Sequence, residues 1–436
     1  MFVSGRLPLV VATGIVPLVA LNAAGVSAWL VLVAWILLVA ALVAVDVLAA
    51  PDPATLRIAR EVPTRARLGD DVRTRLRLVN TGARGIRARV RDAWQPTAGA
   101  PADRARVAIP PNEARTIEIP LRPRRRGELR SEFVTVRILG PLGFAGRQKS
   151  IEAPGAVRVV PPFRARRHLA SRMQRLRELD GSTSLQVRGQ GTEFDSLREY
   201  VRGDDVRSID WRATARATTT MLRTWRPERD RHVTIIVDTG RTAAARVGDE
   251  TRLDATFEAA LLLAALANRA GDHVHVLAFD RVVRARVTGV DGPRLVPEIL
   301  DALASVEAQL IDTDWDRALR EARRLAGRPS LVVILTAQES LSSSRGFLTR
   351  LARLPSAATT VLVGTVTDAS LADAARAGGS VTDLYRAAAA EATAQDAALV
   401  ARAMSRAGAE ALADGPEDLP PRVADRYLAL KKAGRL

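Results

Sequence analysis

Two apolar stretches dominate the first fifty residues of the chain. Residues 7–24 contain one strongly polar side chain, Asn22, and residues 28–45 contain none. A helix of about 18 residues rises about 27 Å, close to the roughly 30 Å hydrocarbon core of a bilayer. The short break at residues 22–27 allows the second segment to run back along the first. The pattern predicts a transmembrane helical hairpin over residues 1–50.

A cleaved signal peptide is the alternative interpretation, with Arg6 before an apolar run at residues 7–21. The second apolar stretch of spanning length argues against it. Arginines lie on both sides of the two stretches, at Arg6 and then at Arg57, Arg60, Arg65 and Arg67. The positive-inside rule therefore predicts that both ends face the cytoplasm. The chain is expected in the inner (cytoplasmic) membrane, with its bulk in the cytosol.

Strict alternation of apolar residues and arginines follows the apolar segment. In residues 72–79, Val72, Thr74, Leu76 and Leu78 share one face and three arginines share the other. A period of two is typical of half-buried strands. The same alternation recurs at residues 86–91, 115–121 and 133–139, with turn signals between these stretches. Residues 51–162 are therefore predicted to form an antiparallel β-sandwich.

Buried strands and amphipathic helices alternate in the carboxyl-terminal half. Strands are predicted at residues 232–237, 273–279, 331–335 and 360–366, and helices at residues 252–269 and 313–325. Such alternation favours a doubly wound α/β domain with a largely parallel sheet, over residues 231–436. Ligands of such sheets bind at the carboxyl ends of the strands. Those ends are Asp238, Asp280, Thr336 and Val366. Residues 163–230 are predicted to connect the sandwich to the α/β domain.

Composition and charge exclude several chemistries. The chain has no cysteine, which excludes disulfides, thiol catalysis and Cys-ligated metals. Its net charge is +17, and residues 51–180 hold 29 basic and 13 acidic residues. A solvated strand face is one explanation of this excess, and attraction to an anionic membrane surface is another. Nucleic acid is the weaker alternative, because the region has little aromatic interleaving and no nucleic-acid-binding motif.

The connector carries a dense run of charged and aromatic residues. Its Gly189-x-Gly191 pair is not a dinucleotide fingerprint, because Phe194 stands where the third glycine belongs. The charges alternate in sign, which predicts a structural ion-pair network in which Arg207 partners Asp204 or Asp210. The residues assigned to this network are Glu193, Arg198, Asp204, Arg207, Asp210 and Trp211.

This stretch resembles the signature of the bacterial family called domain of unknown function 58, which reads G-x-G-x-E-F-x-x-L-R-x-Y-x-x-G-D-x-x-R-x-I-D-W. The resemblance extends to R-R-R-G-E-L at residues 124–129, to G-P-L-G-F at residues 140–144, and to the carboxyl-terminal run that begins at Leu419. It implies a membrane-anchored protein with a von Willebrand factor type A-like domain. It also implies a MoxR-type AAA+ ATPase as a partner, since genes of the family are often encoded beside one.

Type A domains usually hold magnesium with a D-x-S-x-S motif, a threonine and a later aspartate. Here the matching positions are Asp238, Thr242 and Thr313, while Gly240 and Ala337 lack the expected oxygen ligands. Magnesium binding is therefore expected to be weak or absent, with Asp238 otherwise capping a helix or pairing with an arginine. The rim formed by Asp238, Thr242, Thr313 and Asp314 is the predicted partner contact.

Two histidines, His273 and His275, share one face of a predicted strand, as a two-histidine metal site would require. No third ligand is evident in the sequence, so a structural role is expected for both. The chain offers no Ser-His-Asp order or paired-carboxylate motif. The sequence therefore favours a non-enzymatic scaffold or adaptor that recruits a cytosolic protein. An enzyme with its site at the connector, and a binder of anionic lipid or nucleic acid through the basic sandwich, are the alternatives.

Overall fold

The computed structural model of the chain describes residues 1–183, 193–202, 204–226, 231–354, 359–376 and 380–436. These residues form two compact units, Met1–Pro162 and Phe163–Leu436. The first unit contains apolar helices and two β-sheets, and the second contains further sheets and most of the helices. The protein is therefore multidomain, as predicted. The finer divisions at residues 50 and 230 stay predictions.

The first unit begins with short and long apolar helices and continues as strands. Its elements are β1 (Phe2–Val3), α1 (Leu7–Thr13), α2 (Ile15–Ala23), α3 (Ala28–Ala49), β2 (Leu56–Glu61), β3 (Arg65–Arg67), β4 (Val72–Asn80), β5 (Ile86–Asp92), β6 (Ala105–Ile109), β7 (Ala114–Leu121), β8 (Gly127–Leu139) and β9 (Ala145–Val160). Helix α3 is long and apolar enough to cross a membrane, by length and composition.

The predicted first arm of the hairpin is not one continuous helix. Helices α1 and α2 meet at Gly14, and Pro8 and Pro17 lie in their first turns. Proline is tolerated there because the first amides of a helix have no intrahelical partner, but it interrupts a longer helix. A carbon added at Gly14 would collide with the indole of Trp35 in α3. Gly14 therefore lets the broken arm pack closely on the long one.

Both ends of this apolar segment are attached to the same edge of the sandwich. Strand β1 pairs with β9, with Phe2 opposite Gly146. Near the end of α3, the buried Asp46 carboxylate accepts hydrogen bonds from the amides of Leu142 (2.7 Å), Phe144 (2.6 Å) and Ala145 (3.0 Å). The helices therefore leave and return on one side, which is the geometry predicted for a hairpin.

The alternating pattern of the first unit produces a two-sheet core. One sheet has the order β1-β9-β8-β5-β6, with β3 on β9, and the other has the order β2-β4-β7. Leu76 and Leu78 of β4 are fully buried and belong to the same apolar cluster as Val134 and Val136 of β8. The arginines of β4 point outward and are exposed. The pairing differs from the prediction at one place, because β3 runs parallel to β9.

The second unit holds the connector and the α/β domain. Its elements are α4 (Leu169–Thr183), β10 (Glu193–Glu199), α5 (Trp211–Thr214), β11 (Met221–Arg226), β12 (His232–Asp238), β13 (Arg246–Val247), β14 (Glu250–Thr251), α6 (Arg252–Arg269), β15 (His273–Phe279), β16 (Val283–Val287), α7 (Leu295–Ala304), α8 (Trp315–Ala326), β17 (Leu331–Leu335), α9 (Leu341–Leu351), β18 (Thr360–Val366), α10 (Ala369–Arg376), α11 (Val381–Arg406), β19 (Glu410–Asp414) and α12 (Leu419–Lys432).

The main sheet of the second unit has the order β16-β15-β12-β17-β18-β19. All its pairings are parallel except that of β16 with β15. Ile236 of β12 joins the apolar cluster with Trp315 of α8 and Phe347 of α9, and α6 also packs on β12. The strand order reverses at β12, which opens a crevice at the carboxyl ends of β12 and β17. Asp238 lies at that point.

Helix α12 is fixed to the sheet by buried polar contacts. The Asp272 carboxylate, just before β15, accepts hydrogen bonds from the Tyr427 hydroxyl (2.5 Å) and from the Lys431 ammonium (2.9 Å). All three side chains are largely or fully buried. The carboxyl-terminal sequence run therefore has a structural role in closing the α/β domain.

Candidate functional site

Asp238 lies at the carboxyl end of the central strand β12 and is 4% exposed. Its Oδ1 accepts hydrogen bonds from the Thr313 hydroxyl (2.5 Å) and the Gly240 amide (2.8 Å), and its Oδ2 accepts one from the Thr336 hydroxyl (2.5 Å). Burial raises the pKa of Asp238 above its ordinary value, and the charge of Asp280 adds to this, while the three hydrogen bonds oppose it. Both carboxylate oxygens are thus occupied by internal donors.

The structure brings two of the four predicted rim residues together. The Thr313 hydroxyl bonds directly to Asp238, whereas Thr242 accepts a hydrogen bond at its carbonyl oxygen from the Arg252 guanidinium (3.0 Å). Asp314 is exposed and caps α8, accepting from the Arg317 amide (3.0 Å). Asp238 therefore neither caps a helix nor pairs with an arginine in these contacts.

The sequence analysis placed Thr336 at the end of a strand but did not predict its hydrogen bond to Asp238. Strands β12 and β17 pair in parallel, with Val237 opposite Leu335. Asp238 and Thr336 are the next residues of each strand, so they meet across the crevice. The signal that would have found this contact is the register of two strands nearly a hundred residues apart.

The residues around Asp238 fit a magnesium ion poorly. Magnesium requires a near-octahedral set of oxygen ligands. Ala337 is buried and has no carboxylate, and Glu339 faces the Arg252 guanidinium at 3.4 Å. Within the described ranges, no group of three or more His, Cys, Asp or Glu side chains is placed to hold a metal ion. A carbon added at Gly240 would also collide with the Thr313 hydroxyl, so a serine there would displace an existing contact.

Asp280, at the end of β15, is a second buried carboxylate beside this crevice. Burial alone would raise its pKa, but hydrogen bonds from Arg284 (2.6 Å), from the amides of Val282 and Arg281, and from Thr239 hold the pKa below its ordinary value. Asp280 therefore stays charged and holds the turn between β15 and β16. The outer rim carries an exposed ion pair, Arg241 with Asp312 (3.3 Å).

The connector signature forms two ion pairs, both different from the predicted ones. Arg198 binds Asp204 with two 2.7 Å hydrogen bonds, and Arg223 binds Asp210 at 2.7 Å. Asp210 also caps α5. The hydrogen bond from the Ala213 amide, followed by that from Arg223, holds the pKa of Asp210 below its ordinary value. Arg207 is exposed and pairs with neither carboxylate, so the prediction for its partner is wrong.

Trp211 and Glu193 are the other two residues of the predicted network. Trp211 begins α5 and is 70% exposed, which rules out a buried anchoring role for its ring. The side chain of Glu193, like the residues Gly189 and Gly191, lies outside the described part of the chain. Because the Arg207 side chain is exposed and makes no hydrogen bond or ion pair with the described residues, we expect Arg207→Ala to leave the melting temperature nearly unchanged.

Three histidines lie together at the opposite, amino-terminal end of the sheet. His232 of β12 is in register with His273 of β15, and its Nδ1 lies 2.9 Å from Nε2 of His275. His275 also contacts the Thr288 hydroxyl (2.7 Å), and His273 contacts Asp291. Sequence reasoning found His273 and His275 but missed His232, because only strand pairing places it beside them.

This histidine cluster should make the second unit less stable in acid. Burial, followed by the charges of His232 and His273, lowers the pKa of His275, with Asp291 opposing. The unfolded chain then binds a proton that the native state excludes. The contribution of His275 to the free energy of unfolding is therefore fully present above about pH 6.5, and it decreases by up to about 1.4 kcal/mol per pH unit as the pH falls below that value.

The measurement is the melting temperature of the second unit between pH 8 and pH 5. The His275→Gln variant serves as the comparison, because it removes the titrating group. We expect a shallower fall for the variant than for the native chain. Identical pH profiles would contradict a native state that excludes the proton.

Comparisons with known proteins match part of this chain. Residues 196–374 match the model of the family described as protein of unknown function DUF58, which supports the resemblance seen in the connector. No curated protein sequence matches the chain.

Similar solved structures include the ASH/PapD-like domain 7 of human CEP192, at 13% identity over 25% of this chain and 89% of that one, with a TM-score of 0.19. Another is the CARDB domain of the PF1109 protein from Pyrococcus furiosus, at 18% identity over 26% and 90%, also with a TM-score of 0.19. The alkylpurine DNA glycosylase AlkC of Pseudomonas fluorescens matches at 15% over 26% and 32%, with a TM-score of 0.17. At such low scores these likenesses carry no argument about function.

Proposed function

We propose that this protein is a membrane-anchored scaffold or adaptor whose α/β domain, of the von Willebrand factor type A-like class, binds a cytosolic protein. The parallel strand order and the position of Asp238 at the end of the central strand support the type A-like assignment. The family resemblance nominates a MoxR-type AAA+ ATPase as the partner. Helix α3 supports the anchoring, and the proposed location is the inner membrane with the bulk of the chain cytosolic.

The observation that carries this proposal is an exposed surface built from the connector. Three of its acidic side chains are engaged internally: Asp204 with Arg198, Asp210 with Arg223, and Glu199 with the Thr219 hydroxyl, while Asp205 is exposed and accepts from the Arg207 amide. Its arginines and apolar residues are left outward at a spacing of five residues. We call the following residues the signature surface: Val201, Arg202, Val206, Arg207, Trp211, Arg212 and Arg216.

The composition of the signature surface is typical of a protein-binding hot spot. Tryptophan and arginine are the residues most enriched where alanine substitution abolishes binding. An indole that is 70% exposed loses contact with water when a partner covers it, and that burial favours binding. Among the described residues, none of the four arginines forms an ion pair. An acidic patch on the partner would therefore complement this surface.

Partner capture by the full-length protein from native membranes tests the proposal. We expect Trp211→Ala combined with Arg207→Glu to reduce recovery of a specific protein at least tenfold. The matched control is Arg269→Glu, an exposed arginine of the same unit, with no expected change. Equal recovery by the native chain and the signature variant would contradict the proposed contact.

The rim near Asp238 is the second proposed contact and has its own test. Exchanging the charges of the exposed pair, by Arg241→Glu with Asp312→Lys, preserves net charge and is expected to weaken capture. The control exchanges an exposed pair in the sandwich, Arg115 with Glu113 (2.8 Å). An unchanged recovery after the rim exchange would confine the contact to the signature surface.

Partner capture should not depend on divalent ions. The Asp238 carboxylate already accepts three internal hydrogen bonds, and the ligands usual at Gly240 and Ala337 are missing. We therefore expect EDTA to leave the complex intact, as measured by recovery with and without chelator. Dissociation in EDTA with recovery in magnesium would contradict this expectation, and loss of the magnesium effect in Asp238→Asn would assign the ion to this site.

The proposed topology can be tested because the chain has no native cysteine. Ser27 is exposed between α2 and α3, whereas Ser150 is exposed on β9 of the sandwich. We expect a membrane-impermeant maleimide added from the periplasmic side to label Ser27→Cys and not Ser150→Cys. Ser131 is unsuitable because it is buried. The reverse labelling would contradict both the topology and a cytosolic partner.

A further inference from the structure

Five arginines lie together on the outward face of the six-stranded sheet in the first unit. The register places Arg106 of β6 opposite Arg89 of β5, and Arg89 opposite Arg137 of β8. Three like charges thus form one row across three neighbouring strands. Arg91 and Arg104 lie close enough to act electrostatically on this group. We call Arg89, Arg91, Arg104, Arg106 and Arg137 the arginine cluster.

The fold leaves the charge of this cluster uncompensated. Like charges directly opposite each other destabilise a sheet. Within the described residues, no acidic side chain forms an ion pair with any member, and Arg137 bonds to the neutral Gln148 amide oxygen (2.6 Å). The Nε atom of Arg104 is buried and has no hydrogen-bond partner among those residues. Burial lowers the pKa of Arg104, and the positive charges of Arg137 and Arg91 lower it further.

Two arginines of the other sheet have an acidic partner. Arg75 of β4 pairs with Glu118 of β7 at 3.0 Å, and Arg73 lies 3.8 Å from the same carboxylate. A basic face of this sandwich can therefore be neutralised by its own strands. The arginine cluster lacks such acids, which points to an anion supplied from outside.

The cluster borders the place where the chain enters its apolar helices. The guanidinium of Arg137 lies 5.0 Å from the centre of the Phe2 ring. Phe2 belongs to β1 and lies opposite Gly146 of β9. Gln148, which faces Arg137, is two residues further along β9. Two residues of a strand span about 7 Å. A bilayer that holds α1–α3 would thus lie next to the cluster.

We propose that the arginine cluster binds the phosphate groups of anionic phospholipids in the bilayer that holds the chain's own apolar helices. Planar guanidinium groups donate paired hydrogen bonds to phosphate oxygens, and an array of them neutralises several headgroups. Anionic lipid also concentrates at the cytoplasmic leaflet that the sandwich is proposed to face. The inference rests on the membrane anchoring of the proposed function but not on the protein partner.

Native mass spectrometry of the delipidated full-length protein in detergent measures this binding. Phosphatidylglycerol is titrated against phosphatidylcholine. We expect the dissociation constant for phosphatidylglycerol to be at least tenfold lower. Arg89→Gln with Arg106→Gln should weaken phosphatidylglycerol binding at least fivefold without affecting phosphatidylcholine. Because the substitution also relieves like-charge repulsion, the melting temperature should stay equal or rise.

The matched control is Arg57→Gln with Arg77→Gln, two exposed arginines of the three-stranded sheet. It removes the same charge from the same unit and should change lipid affinity less than twofold. Equal losses in both variants, or none in the cluster variant, would overturn the proposal. So would tighter binding of inorganic phosphate or of a twenty-residue oligothymidylate than of phosphatidylglycerol.

Partner capture by the cluster variant separates this inference from the proposed function. Native recovery of the protein partner with lost lipid affinity supports a distinct lipid site. Lost recovery with native lipid affinity overturns the lipid assignment and moves the cluster to the partner interface. Failure of every variant to capture a protein would count against the scaffold function alone.

Discussion

Replacing Arg60 by leucine is expected to destabilise the sandwich by about 3–5 kcal/mol. The Arg60 and Asp92 side chains are 1% and 2% exposed, and their charged groups lie 2.7 Å apart. The guanidinium also donates to the Ser131 hydroxyl and the Ala153 carbonyl oxygen. Its loss would leave a buried carboxylate with only the Trp94 and Ser131 donors.

Chemical denaturation of the full-length protein in detergent, followed by the fluorescence of its six tryptophans, among which Trp94 lies in the sandwich core, measures this loss. Arg57→Leu on the same strand is the control, because Arg57 is exposed and its replacement should change the unfolding free energy by less than about 0.5 kcal/mol. Equal effects of the two substitutions would contradict a stabilising role for the buried pair.

Replacing Asp46 by asparagine should detach the end of α3 from the sandwich. The carboxylate accepts three backbone hydrogen bonds, and bonds to charged groups contribute about 1.5–3 kcal/mol each. An asparagine amide would direct its own N–H groups at donors. Gly140 supports the contact, because a side-chain carbon there would collide with Asp46.

Amide hydrogen exchange at residues 142–145 measures this detachment. We expect exchange to accelerate at least a hundredfold in Asp46→Asn, because local opening then no longer breaks charged hydrogen bonds. Asp52→Asn removes the same charge from an exposed site that caps one short turn, and should leave these amides unchanged. Unaltered exchange in Asp46→Asn would mean that other contacts, such as β1 on β9 and the Arg147 hydrogen bond to the Val47 carbonyl oxygen, hold the helices to the sheet.

Local periodicity was sufficient to predict four strands of the sandwich, and four strands and two helices of the α/β domain. The arginines of β4 are exposed and Leu76 and Leu78 are buried, as a period of two requires. Strand β12 is buried after its first residue, as expected of a parallel strand covered on both faces. These outcomes depend on which neighbours a residue has within a few positions. They can therefore be predicted from the local sequence.

Pairing partners were decided by the tertiary structure. Arg207 stands close to Asp204 and Asp210 in sequence, yet Arg198 and Arg223 hold those carboxylates, because β10 and β11 pair and bring Arg223 beside the turn. The need for glycine at position 14 was also decided by the tertiary structure, since a side-chain carbon there would collide with Trp35 of another helix.

The two sites of greatest interest also required the register of distant strands. Asp238 meets Thr336 only because β12 lies beside β17, and the row of Arg106, Arg89 and Arg137 exists only because three strands align at those residues. The sequence by itself determined that Asp238 and Thr336 lie at strand ends and that Arg89 and Arg137 lie in alternating strands, whereas the strand of Arg106 was not predicted. Which of them touch was decided by the tertiary structure, because strand register depends on the packing of the whole sheet and not on local residue order.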